Sequence, residues 1–154
     1  MHVQEDDLHT ALRNQAAVFD FFLNTIPAAK ANYAYAPSKW TVKQLLQHMI
    51  DTERILAHRA LWFARKSPDP LTGFDENAFA EVADVHNRSL QSLIDEMKAV
   101  RKSSEFLFNS FSEKELNTRG MANNNSITVN ALGFITLGHF LHHKQILEDK
   151  YGIL

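Results

Sequence analysis

"PDPLTGFDENAFAEVADVH", Pro68 to His86, decides how this chain can fold. Two prolines and a glycine break the helix that precedes it. "ENAFAEVA" within it reads as a short helical piece only. The stretch supplies 19 residues, each with an extended reach of about 3.3 to 3.6 Å. That is far more than a turn between adjacent helices needs, and enough to run the length of a long helix. Its length therefore allows the helices on either side to lie parallel.

Working outward, the five glycines and four prolines cluster between long periodic segments, which is a helical pattern. The first helix is expected from about Glu5 to Thr25, with Leu8, Ala11, Leu12, Gln15, Val18, Phe19, Phe22 and Ile26 inward and Pro27 as its stop. Thr41 reads as an N-cap with Gln44 as capping-box partner, opening a second helix to about Arg65. Its inward stripe is Leu45, His48, Met49, Thr52, Ile55, Leu56, Arg59 and Phe63. A third helix covers about Asn87 to Phe111, with Leu90, Leu93, Ile94, Met97, Val100, Arg101, Ser104 and Phe108 on one face. The connector "SFSEKELNTRGMANNNS" holds one helical turn at Ser112–Glu115 and an asparagine run of turn chemistry. The last helix runs from near Ile127 to about Lys150, with Gly152 as a stop. No stretch alternates convincingly as a strand. Four helices of about 21 to 25 residues are each roughly 32 to 37 Å long. The fold class is all-α, a four-helix bundle in one domain spanning residues 1–154.

Three of the chain's eight histidines lie in "GHFLHHKQIL", Gly138 to Leu147. His139 and His143 are four apart and sit within roughly 40° of each other on one helix face. Leu132, Ile135 and Ile146 share that face, which marks it as the buried one; His142 lies on the shoulder. An i, i+4 pair can chelate one ion. His48 is the one other histidine in mid-stripe on a long helix. It falls about two turns inside the second helix, and His143 about two turns from the end of the fourth. The levels match only if those helices are antiparallel. An up-down-up-down order would separate the histidines axially by about 14 Å. The long connector permits the other order, up-down-down-up with a crossover between helices 2 and 3, and the three histidines then converge. Spacing alone leaves two readings open: a divalent-metal site, or a satisfied histidine cluster with no ion. On the metal reading each ligand's second ring nitrogen should find a hydrogen-bond partner. His2, His9 and His86 lie at a terminus, a helix edge and a linker, and His58 sits roughly 80° from His48 and almost three turns along the helix. Asp51 shares the face of His48 approximately. It is the candidate catalytic residue, orienting a ring or a nucleophile, unless it merely pairs with Arg54 or Lys43. Tyr33, Tyr35 and Trp40 either line a pocket mouth or seal the bundle end.

Bulk composition narrows the partners. The chain has 154 residues, 45% apolar and 22% charged, with a formal charge of -2. Nothing favours nucleic acid. There are no cysteines, which excludes disulfides, thiolate ligands and a cysteine nucleophile. "MHVQEDDLHT" lacks the positive start and apolar stretch of a signal peptide. The longest apolar run, "NALGFITLGHFL", is too short for a membrane span and is interrupted by a histidine. The expectation is a cytoplasmic protein with a small-molecule substrate.

"YAYAPSKWTVKQLLQHMIDTERILAHRALWFAR", "LTGFDENAF" and "GHFLHHKQIL" together resemble the DinB/YfiT-like superfamily, over about Tyr33 to the C-terminus. The resemblance implies an up-down-down-up bundle with a divalent metal, zinc or nickel, on three histidines. By position these are His48, His139 and His143. It also implies a homodimer; the apolar cluster of Phe106, Phe108 and Phe111 is either a candidate contact for it or part of the core. Phe140 departs from the family, standing where glutamate is common, but that position points away from the ligand face. Relatives of this kind include thiol-dependent S-transferases using a low-molecular-weight thiol, and proteins described as hydrolases. Two function classes follow: a metal-dependent transferase or hydrolase, and a non-catalytic metal-binding or dimerisation module. An ion with open positions facing a pocket belongs to the first, and one closed by a fourth protein ligand to the second.

Overall fold

The computed structural model describes residues 7–153. Helix α1 spans Leu8–Thr25, α2 Val42–Ala64, α3 Glu76–Val82, α4 Leu90–Ser110, α5 Glu113–Leu116 and α6 Val129–Asp149. Strands β1, Arg119–Ala122, and β2, Asn125–Thr128, precede α6. The expected helix ends hold within a few residues. Asp7 caps α1 by accepting from the Thr10 N–H, and the Glu5 start expected for that helix lies outside the described residues. Both capping boxes form, Thr41 with Gln44 and Ser112 with Glu115. Gly152 takes the left-handed conformation, φ +63°, after the last helix, where a residue lacking Cβ is unstrained.

Paired contacts give the directions. Gln47 of α2 meets Arg88, just before α4, and Glu53 meets Arg101 within α4, so α2 and α4 run parallel. His48 meets His139 and His143, while Phe63, Val129 and Leu132 share a cluster at the other end, so α2 and α6 are antiparallel. Gln15 meets Leu137 and Arg101, and Lys98 reaches Asn24; α1 is thus parallel to α6 and antiparallel to α4. The order is up-down-down-up.

The crossover makes this possible. Its first half is tied to the far end of α2, where Trp62 Nε1 donates to the Asp69 carbonyl at 3.0 Å and Arg59 to the Thr72 carbonyl at 3.1 Å. Its second half carries α3 along α2, with Ala80 and Val85 buried. It ends at the start of α2, where Lys43 Nζ donates to the carbonyls of His86 and Arg88.

The interior is two apolar clusters, one around Leu23, Met49, Leu93 and Phe140, the other around Leu12, Phe63, Phe108 and Leu132. A polar layer lies between them, and every long helix contributes: Gln15, Thr52, Glu53, Arg101, Ser104 and Thr136, all buried. Arg101 Nε and Nη2 donate to Glu53 Oε1 and Oε2 at 2.8 and 3.0 Å, and Arg101 Nη1 to Gln15 Oε1 at 2.6 Å. The guanidinium also lies 4.3 Å from the ring centre of Phe19, a favourable cation–π placement.

Three expectations need correction. The segment Arg119–Thr128 is an antiparallel hairpin, not a plain connector. Asn123 and Asn124 both have positive φ, 49° and 61°, the geometry of a tight hairpin turn that asparagine tolerates. The strands have four residues each, too few to show alternation. Ile127 consequently belongs to β2, and α6 begins two residues later under its Thr128 cap. Val18 and Ile135, placed inward by periodicity, are each 44% exposed, because the four-helix contact is narrower than the apolar stripe at those points. Finally, Phe108 and Phe111 are buried and pack against each other. They belong to the core and are not free for a partner, whereas Phe106 is exposed.

The buried ion pair generates a prediction. Removing one partner strands the other charge in the core, at a cost of about 3 to 5 kcal/mol. Glu53→Leu should lower unfolding stability by about that much in urea titrations. Replacing both, Glu53→Leu with Arg101→Met, should recover most of the loss.

Candidate metal centre

Helices α2 and α6 bring three imidazoles to one point. His48 Nε2 is 3.1 Å from His139 Nε2 and 3.1 Å from His143 Nε2, and the last two are also 3.1 Å apart. His48 and His143 are buried and His139 half-buried. The rings of His139 and His143 stand on successive turns of α6, as four-residue spacing requires.

This triangle cannot be satisfied by hydrogen bonding among its members. Each Nε2 presents in its ring plane either one proton or one lone pair. With two kinds of nitrogen and three mutual contacts, at least one contact always sets like against like. A cation accepting all three lone pairs removes the conflict. Three corners 3.1 Å apart also share points about 2.0 to 2.1 Å from each, the usual zinc–imidazole distance. The donor set therefore fits a divalent ion bound by His48, His139 and His143.

The electrostatics agree with neutral donors. Burial pushes the His143 imidazole down to about 2 and that of His139 to about 3, with neighbouring histidines adding to the shift. Burial also lowers His48, opposed by the carboxylates of Glu76 and Asp51. All three lone pairs are thus available at neutral pH, as metal ligation requires.

The surroundings are specific. Trp40 lies over His48, ring centres 4.8 Å apart, and Tyr151 Oη donates to the Trp40 carbonyl at 2.7 Å. Burial, with Tyr35 and Tyr33 nearby, pushes the Tyr151 hydroxyl up to about 12, so it stays a donor. Beside the histidines opens a cleft of about 230 Å³, lined by Tyr35, Ser38, Lys39, Trp40, Asn77, His143 and Tyr151 among others. Tyr35 and Trp40 thus border a cleft as well as packing at the bundle end, while Tyr33 packs edge-on against Tyr151.

The other sequence candidates fall elsewhere. Asp51 accepts from Gln47 Nε2 at 2.8 Å, and not from a histidine ring, Arg54 or Lys43. His142 is exposed, beside His143 but outside the triangle. His58 is exposed against Trp62, His9 contacts the Phe108 carbonyl, His86 is exposed in the crossover, and His2 lies outside the described residues. Phe140 packs on Phe19 and Phe22, away from the triangle. The expectation that every second ring nitrogen is paired fails at His143, whose buried Nδ1 makes no hydrogen bond among the described residues. One neighbour was not foreseen: Glu76 of α3 puts Oε2 4.0 Å from His48 Nε2. The signal was available, since a connector crossing the bundle must pass the histidine level, and "DEN" sits at its middle.

Residues 11–147 match the family model of the DinB superfamily. The chain belongs to the DinB superfamily. Its fold is similar to that of YfiT from Bacillus subtilis, described as "a probable metal-dependent hydrolase with an unusual four-helix bundle topology". The two share 18% identity at a TM-score of 0.75, over 98% of this chain and 89% of that one. No curated protein matches this DinB-superfamily chain.

Depressed imidazoles carry a pH dependence. The unfolded chain takes up protons near the ordinary histidine value of 6.5, while folded His139 and His143 resist until about 3 and about 2. Their contribution to stability is complete above pH 6.5 and is lost as the pH falls toward those values. In chelator, the thermal midpoint of wild type should drop between pH 7 and 4. In His139→Gln/His143→Gln protein that part of the drop should vanish.

Proposed function

We propose that this protein is a metal-dependent enzyme of the thiol-dependent S-transferase or hydrolase type, holding zinc or nickel on His48, His139 and His143. The observation that carries the reading is the triangle of neutral nitrogens beside an open cleft. A bound divalent ion would supply Lewis acidity there, activating a thiol or water nucleophile and polarising an electrophile.

The chain's own residues do the rest. The three imidazoles donate without protons to lose. Trp40 packs on the His48 ring, and the polar layer ties α2 and α6 into one register. Aromatic walls from Tyr35, Trp40 and Tyr151 exclude water from one side of the cleft. Lys39 has no ion pair among the described residues and offers an ammonium to an anionic group. At about 230 Å³ the cleft lies below the usual size of drug-like pockets. It suits a small molecule, with a low-molecular-weight thiol as cosubstrate in the transferase case. A structural ion would be closed by a fourth protein ligand. The cleft lined by His143 favours chemistry over a purely structural module. No helix among the described residues is long and apolar enough to cross a membrane. Cytoplasmic location and assembly as a homodimer belong to the same proposal.

The test begins with metal analysis of protein purified without a histidine tag. His48→Ala, His139→Ala and His143→Ala should each lose most of the metal, and His142→Ala should keep it. Loaded protein should then show chelator-sensitive turnover, either thiol transfer to small electrophiles or ester or amide hydrolysis. Metal retained by all three variants would refute the site, and loaded protein inert in every assay would refute the enzymatic role.

A further inference from the structure

We propose that Glu76 is the anionic member of this site, a carboxylate that strengthens the hold of the histidine triangle on a divalent cation. Three neutral imidazoles leave a bound dication with its full charge. The one carboxylate oxygen within 4.0 Å of a triangle nitrogen, among the described residues, is Glu76 Oε2, beside His48 Nε2. Asp51 is committed to Gln47, and Glu53 is consumed by Arg101 in the polar layer. Glu76 has no competing cation, since its ion-pair contact is His48.

Its position is built by the fold. Asp75 caps α3 by accepting from the N–H groups of Asn77 and Ala78. Ala80 is buried against the bundle. The next residue, Asn77, lines the cleft beside His143, so α3 presents consecutive side chains to the site. The Glu76 side chain is 57% exposed, so an ion can reach it without a buried carboxylate waiting uncompensated. At this range a carboxylate and a dication attract appreciably even through water. Partners just outside the ligand set commonly change metal affinity by about 10- to 100-fold.

The inference rests on the metal reading above, and the experiment separates the two. Dissociation constants for Zn²⁺ and Ni²⁺ are measured on untagged protein by competition with a chromophoric chelator. Wild type is compared with Glu76→Gln and with Glu81→Gln, which removes an exposed charge from the same helix. Glu76→Gln should bind at least tenfold more weakly, with unchanged circular dichroism and unchanged metal-free thermal midpoint. Glu81→Gln should stay within about twofold of wild type. If Glu76→Gln binds like wild type, the role of Glu76 is refuted while the histidine site stands. Equal weakening by both variants would trace the effect to the general charge of α3 and also refute it. If wild type binds neither ion, the histidine site falls and Glu76 with it.

Discussion

The bundle depends on the guanidinium of Arg101. Buried between two apolar clusters, it must be paired or it would cost the fold heavily. Glu53 pairs it from α2 and Gln15 from α1, and Gln15 in turn donates to the Leu137 carbonyl of α6. One charged group thus sets the axial level of all four long helices. His48 lies five residues before Glu53 and His139 two after Leu137, so the register that satisfies Arg101 also aligns the imidazoles. A one-turn slip of α2 against α4 would leave both Arg101 and Glu53 unpaired in the core. Apolar packing alone tolerates such slips far better.

The parallel pairing of α2 and α4 has a second result. It forces the chain to travel back along the bundle, and the returning segment becomes part of the site. The crossover is more than a linker: it supplies Glu76 beside His48 and Asn77 in the cleft wall. The hairpin at the opposite end shows the same economy. Leu71 of the crossover exchanges backbone hydrogen bonds with the hairpin, donating to the Met121 carbonyl of β1 and accepting from the Asn123 N–H of the turn. Both ends of the return path are therefore anchored, which fixes where α3 lies.

Much of this was legible in the sequence. The long helices, the caps at Thr41 and Ser112, the order up-down-down-up and the convergence of His48, His139 and His143 follow from periodicity, capping chemistry and the length of one connector. What was not legible has physical causes. The hairpin strands are too short to alternate, and their pairing depends on contacts distant in sequence. Gly120 shows this, since a Cβ there would meet the Phe63 ring at 2.0 Å. Periodicity gave Val18 and Ile135 as inward because it cannot measure how wide a stripe the neighbours cover. The role of Glu53 could not be read from α2 alone, because it depends on Arg101 on the facing stripe of α4. The pairing of Asp51 with Gln47 instead of a histidine is a choice of rotamer, which sequence spacing does not determine.

The histidine triangle joins residues 91 and 95 positions apart in sequence. During synthesis His48 emerges long before the helix that completes the cluster. Nothing local can assemble it, and loop closure on that scale comes late in folding. Fraying at either terminus would leave it intact, whereas detachment of α6 alone would dismantle it. A probe seated at the three nitrogens would therefore report whole-bundle opening and stay silent on fluctuations at the ends.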